Sequence, residues 1–534
     1  MEPRSCVESR RWWVVIALGA GLAFSLPLIF LLAARGNYLP FACETLAFRY
    51  FANVRILAGQ GSTVWLPQGQ LVTLVQNFIM DGLRLFLHDD LKPMLQLYGV
   101  CTSLVAGLAM LGIYFAACFD HLLSRLDKVL ILVLGPATIL STVHAGFYYA
   151  LLPDYCVFNL VIISASVYLT LRFFRAPQHF NMRDVAISGA LAGVALSNKI
   201  TLLGPMAVVV LVAIARRPIG IVSFAGRTVV AGAACLGAYA FIFLAAYEFH
   251  PMAAASALRH SLIFLHDAGA ESGFWNGNFR LFLRAYNYEK LFAIWCLATL
   301  FLIFEIVRLK AWRSSIVLLA NLVVAMFLCV GLYKRGAGTT FFEISSIFAG
   351  LTILMFAIAL GLRRRGWWVW TVPTAIALGS LTQFDFSHNW SVVKQSRVLG
   401  KTAWEIREYT LAFRQPVVIV IPDISYYTGG TVEELLQTAF FSAQFDPADA
   451  KLTERFLFNT VFRREAGPIC VGTTFVWFEK WNQSANEPLT ETSIAEAKRW
   501  EALTRVGSVN DCRTWRLGYS GQSIVHVCSV KQLR

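Results

Sequence analysis

Apolar residues run in long blocks through residues 1–382, too uniform for the single 3.6-residue stripe of a surface helix. Eleven blocks stand out, near 12–34, 94–118, 129–146, 154–171, 185–198, 200–215, 228–247, 291–307, 316–332, 346–362 and 367–382. Crossing a bilayer takes about 20 such residues, so each block is read as spanning or nearly spanning one. Several are short, and the two that flank Lys199 read as a broken or re-entrant pair. Between the first two blocks, VTLVQNFIMDGLRLFLHD repeats its apolar positions at helical spacing and reads as an amphipathic helix in the interface plane.

The pattern changes after residue 382. VVIVIP is a short β-branched run, the signature of a buried strand. Thr431 and Glu434 form a capping box for a helix over EELLQTAFFSAQF. CVGTTFVWFE, CRTWRLGY and SIVHVCS read as strands. The expected fold is therefore an α-helical polytopic membrane protein of about 11 transmembrane helices, with a C-terminal extracytoplasmic α/β domain. The domains are 1–382, with external loops 35–92 and 248–290, and 383–534. No glycine-rich phosphate loop follows the strands.

Composition agrees with a chain partly solvated by lipid. Of 534 residues 57% are hydrophobic and 15% charged, against about 25% charged in soluble domains. This excludes an ordinary cytosolic enzyme and a disordered chain. Residues 401–534 hold fifteen basic and fifteen acidic side chains, so the whole net charge of +14 lies in residues 1–400. A nucleic-acid-binding protein would carry a basic stripe on a soluble domain. Here the excess sits in alternate connections: Arg4, Arg10 and Arg11; Arg125 and Lys128; Arg172, Arg175 and Arg183; Arg216, Arg217 and Arg227; Arg308, Lys310 and Arg313; Arg363, Arg364 and Arg365. Eleven spans put all six on one side, which the positive-inside rule makes the cytoplasm. The first block is too long for a signal peptide and lacks a clear cleavage site. The chain is thus expected to be multi-pass in the cell (inner) membrane.

The eleven cysteines show neither CxxC nor zinc spacing. Cys470, Cys512 and Cys528 lie in the external domain, where disulfides form. A hairpin centred on Ser520 sets Cys512 opposite Cys528, which predicts a bridge and leaves Cys470 free.

Ionisable groups at membrane depth are costly and mark candidate sites. Asp154 opens a span beside Pro153, as a helix cap, a functional carboxylate, or both. Lys199 is either a snorkelling lysine or a phosphate ligand at the external surface. Gly189 and Gly193 just before it form a GxxxG suited to close helix packing. Lys334 and Arg335 fall on the side the basic bias avoids, as a solvated loop or as ligands for a lipid phosphate. Arg259 and His260 are weaker candidates of the same kind. Glu44 lies ten residues beyond the first span, with Arg49 following at helical spacing, so it is either a paired surface carboxylate or a catalytic one. His144 reads as a core histidine, and Asn389 and Asn482 match a glycosylation pattern that is common by chance.

Three segments in order then resemble one family. An acid followed by RYFANVRILAGQG is similar to the opening of the glycosyltransferase C superfamily. LLPDYCVFNLVIISASVYLTLRFF resembles its acid-opened fourth span, and SGALAGVALSNKITLLGP resembles its small-residue helix, lysine and proline-bearing span. The likeness covers residues 35–215; the later spans fit in general hydropathy, and the external domain resembles no family. It implies a membrane glycosyltransferase, hexosyl- or pentosyl-, that moves a sugar from a polyprenyl-phosphate donor to a glycan, lipid or protein acceptor outside the cytoplasm. Carried over by motif, Glu44 and Asp154 are the catalytic acids and Lys199 contacts the lipid phosphate, with Lys334, Arg335, Arg259, His260 and Arg49 as further cations. A divalent metal, Mg or Mn, would be held by Glu44 and Asp154. This chain has Cys43–Glu44–Thr45 where many relatives carry two adjacent acids or an aspartate, so Arg49 or Lys199 is the alternative counter-charge. Two other classes stay open: a lipid-linked sugar transporter or flippase, and a non-catalytic envelope-assembly subunit. Transporters often carry internal repeats, and no convincing repeat is visible.

Overall fold

The computed structural model describes residues 69–87, 91–124, 127–128, 131, 155–175, 181–198, 202–215, 220–259, 288–310, 401–402, 404–410, 412, 417–420, 456–459, 472, 474–482, 487–488, 506–519 and 521–533. These residues are mostly helical, with a small C-terminal sheet. The chain divides into two compact units, one of Met1–Phe30, Pro67–Val75 and Cys101–Asn389, the other of Leu31–Leu66, Gln76–Val100 and Trp390–Arg534.

The helices are α1 (Gln70–Leu87), α2 (Leu91–Phe119), α3 (Tyr155–Arg175), α4 (Met182–Asn198), α5 (Leu203–Ala215), α6 (Ile221–Ala246) and α7 (Tyr288–Arg308). Helices α2 to α7 fall on six of the eleven expected apolar blocks. Of the other five, four lie outside the described residues, and the block near 129–146 is described only at Ile131, which is helical and buried. Two stretches among those described, Val100–Phe119 and Ile221–Ala246, are long and apolar enough to cross a membrane. Helix α5 has 13 residues, about 20 Å at 1.5 Å per residue, and is too short to cross alone.

Helix α1 does not sort apolar from polar positions by burial: Val72, Ile79 and Met80 are buried together with Gln70, Thr73, Gln76 and Asn77, while Phe78, Leu85 and Phe86 are exposed. Gly69 before it has φ 88, a left-handed conformation that glycine adopts without steric cost. Its carbonyl accepts hydrogen bonds from the Thr73 N–H at 2.9 Å and the Thr73 hydroxyl at 3.2 Å.

Helix α4 is the hub of the first unit. It packs on α6, and also on α5 and α3. The small residues of SGALAGVALSN make this possible, because Gly189 and Gly193 let the α6 backbone come close at Ala231 and Cys235. Helix α6 ends in a tight reversal. Glu248 and Phe249 take φ 51 and 57, and the Phe249 N–H reaches back to the Leu244 carbonyl at 2.8 Å. Pro251, with no N–H to leave unpaired, then opens a short helix over 251–259.

In the second unit the strand order is β2-β1-β3-β6-β5, with β4 on β3. The strands are β1 (Val417–Val420), β2 (Phe456–Asn459), β3 (Thr474–Asn482), β4 (Glu487–Pro488), β5 (Val506–Tyr519) and β6 (Gly521–Leu533). β1 runs parallel to β2 and β3, and β6 antiparallel to β3 and β5. Burial covers both faces of β6: Val525 and Val527 on one side, Cys528 and Val530 on the other. At the end of β5, Tyr519 is paired with Gly521, the first residue of β6. Cys512 and Cys528 are disulfide-bonded, with Cα atoms 4.1 Å apart. Helical residues 404–410 lie against this sheet: Tyr409 meets Trp515 edge-on at 5.2 Å, and the Arg513 guanidinium stacks on both rings at 4.9 Å. β2 and β4 were not expected from sequence. The capped helix expected after Thr431 lies outside the described residues.

Candidate functional site

Helices α3 and α4 are antiparallel, and polar side chains tie them at both ends. At one end Asn198 Nδ2 donates to Asn159 Oδ1 at 2.7 Å, with both residues buried. In the same turn of α4 the Ser197 carbonyl accepts the Gly69 N–H at 3.1 Å. Three segments distant in sequence, just before α1, opening α3 and closing α4, therefore meet at Ser197–Asn198. Gln70, beside Gly69, is buried too.

The other end is charged. Arg172 on α3 lies between two carboxylates, with Nε 3.2 Å from Asp120 Oδ2 and Nη1 3.5 Å from Asp184 Oδ1. The carboxylates are nearly buried, at 8% and 9% side-chain exposure. Their remaining oxygens are occupied. The Leu122 N–H donates to Asp120 Oδ1 at 2.9 Å, and the Tyr168 hydroxyl shares Oδ2 with Arg172 at 3.1 Å. Asp184 also closes a capping box with Asn181, each accepting the other's N–H at 3.2 Å. Asn159 to Arg172 is 13 residues, so the two joints are about 20 Å apart along α3.

Of the residues that the sequence nominates, Glu44, Arg49, Asp154, Lys199, His260, Lys334 and Arg335 lie outside the described residues, as does His144. Arg259 is exposed at the end of the helix over 251–259. The described neighbours of two candidates do come together: Asn159 stands five residues after Asp154, and Asn198 immediately precedes Lys199. Among the described residues no group of three or more His, Cys, Asp or Glu could hold a metal ion.

Sequence reasoning missed the Asn159–Asn198 joint and the Asp120–Arg172–Asp184 cluster. The signal for the first was a lone amide inside each apolar run, since polar side chains between membrane helices pair with one another. For the second it was Asp184 at helical capping distance from Asn181.

The chain matches no known family and no curated protein. Among solved structures it is similar to the archaeal oligosaccharyltransferase AglB from Archaeoglobus fulgidus, in a complex with an inhibitory peptide and a dolichol-phosphate. The identity is 11% and the TM-score 0.41, over 79% of this chain. The chain spans 63% of the length of that protein.

Proposed function

We propose that the protein is an integral-membrane glycosyltransferase that moves a sugar from a polyprenyl-phosphate-type donor to an acceptor at the extracytoplasmic face. The observation that best supports this reading is the buried Asn159–Asn198 bond. It joins the segment that follows the candidate carboxylate Asp154 to the segment that precedes the candidate phosphate ligand Lys199.

In the proposed reaction Glu44 accepts the proton of an acceptor hydroxyl as its oxygen attacks the anomeric carbon. The bond from that carbon to the phosphate oxygen breaks, and its electron pair leaves with the polyprenyl phosphate. Lys199, Lys334 and Arg335 stabilise the charge that develops there. Asp154 orients the substrate. The leaving group is already good, so no covalent sugar–enzyme intermediate is needed.

The test is transfer by the purified full-length chain from a panel of polyprenyl-phosphate sugars. Glu44→Gln keeps shape and removes the base. It should cut turnover by about 10²- to 10⁴-fold and leave donor binding in place. A wild-type chain inactive with every donor would overturn the reading. Near-normal transfer by Glu44→Gln would remove Glu44 from it.

A further inference from the structure

Burial on α1 runs opposite to that of a helix in water. Gln70, Thr73, Gln76 and Asn77 are 3%, 8%, 1% and 7% exposed, whereas Phe78, Leu85 and Phe86 are 76%, 78% and 80% exposed. At about 100° per residue the three apolar side chains fall within an arc of about 100°, and the four polar ones lie on the other side of the helix. A surface helix in water turns such an apolar arc to the core. Here amides and a hydroxyl face the protein and two aromatic rings face outward, which suits a solvent of acyl chains.

The connections of α1 place that face. The Gly69 N–H donates to the Ser197 carbonyl at 3.1 Å, tying the start of α1 to the last turn of α4. Helix α2 begins at Leu91, just after α1 ends at Leu87. The basic bias puts both of those helix ends on the external side. A helix with both ends on one side does not cross the bilayer, so its 18 residues, about 27 Å, run along the outer surface. The apolar surface continues onto α2, where Leu97, Leu104 and Leu108 are 41%, 43% and 63% exposed. Asp81 and Arg84 are exposed on α1 as well, which is costly in the hydrocarbon centre but not at headgroup level.

We propose that Phe78, Leu85 and Phe86 insert among the acyl chains of the external leaflet, so that α1 grips the membrane with one side and the protein with the other. This inference does not rest on the transferase reading.

The test puts the photoreactive residue p-benzoylphenylalanine into the full-length chain at one position at a time: Phe78, Leu85 or Phe86. At Phe78 and Phe86 it replaces an exposed aromatic ring, so these variants keep the fold. Each chain is reconstituted in vesicles of phosphatidylethanolamine and phosphatidylglycerol and irradiated. The same residue at Leu108 reports a lipid-facing span, and at Lys531, exposed on β6, an aqueous surface. Mass spectrometry should find peptides heavier by one phospholipid, joined through an acyl chain, from positions 78, 85, 86 and 108 and not from 531. Absence of lipid adducts at Phe78 and Phe86 would overturn the proposal, whether or not Leu108 yields one. Adducts to headgroups alone, or an equal yield from Lys531, would also overturn it. So would cross-links from Phe78 and Phe86 to another segment of the chain, or to a second copy at doubled mass, because protein would then cover the face.

Discussion

Gly189 lies so close to Ala231 that a Cβ on it would fall on the Ala231 carbonyl and within 2.8 Å of the Ala231 Cα. The obstacle is main chain and cannot rotate away. Gly189→Ala should therefore force α4 and α6 apart and cost about 1–3 kcal/mol. Thermal unfolding in detergent measures this. Gly226→Ala, at an α6 glycine with open space around it, should leave the transition unmoved or raise it slightly.

Arg172 is the shared counter-charge of Asp120 and Asp184. Arg172→Leu would leave two nearly buried carboxylates without it, a change worth about 3 kcal/mol when a buried pair is broken. Arg172→Lys keeps the charge but not the planar fork that reaches two acceptors, so an intermediate loss is expected. Equal unfolding temperatures for the wild type and Arg172→Leu would show that the cluster contributes nothing to stability.

The helical architecture was legible because lipid solvation imposes long apolar blocks, and α2 to α7 fall on such blocks. The GxxxG of α4 was legible as packing because only small residues allow the contact now seen with Ala231. The antiparallel β5–β6 pair was legible from the Gly- and Ser-rich segment between two strand-like runs. What pairs across the fold was not. Asn159 and Asn198 are single amides 39 residues apart, and nothing local marks them as partners. Arg172 reads as one cytoplasmic charge among many until the fold brings two carboxylates to it. β2, Phe456–Asn459, has neither a β-branched residue nor apolar–polar alternation to mark it as a strand.

Cys512 and Cys528 close a loop across the β5–β6 hairpin, with a sequence separation of 16. A loop of this size restricts the unfolded chain by about 3 kcal/mol in the chain-entropy picture. Replacing both cysteines with serine should destabilise the sheet by up to that amount. Free thiols counted in denaturant should rise by two on reduction of the wild type and stay constant for the double variant. Equal counts in the wild type before and after reduction would rule the bridge out.

The last prediction concerns sidedness, because the proposed site works only if the sheet and the cation-rich loops face away from the cytoplasm. Lys531 is exposed on β6, and Lys310 is exposed in the turn after α7. The basic bias puts Arg308, Lys310 and Arg313 in the cytoplasm and residues 383–534 outside. In intact cells, Lys531→Cys should therefore react with a membrane-impermeant maleimide above the background of the native cysteines, whereas Lys310→Cys should react only after permeabilisation. The reverse pattern would invert every span and place Glu44 and Asp154 on the cytoplasmic face, where the proposed transfer would have to be abandoned. Labelling of both positions in intact cells would mean an even number of spans between them, and the count of eleven would fall with it.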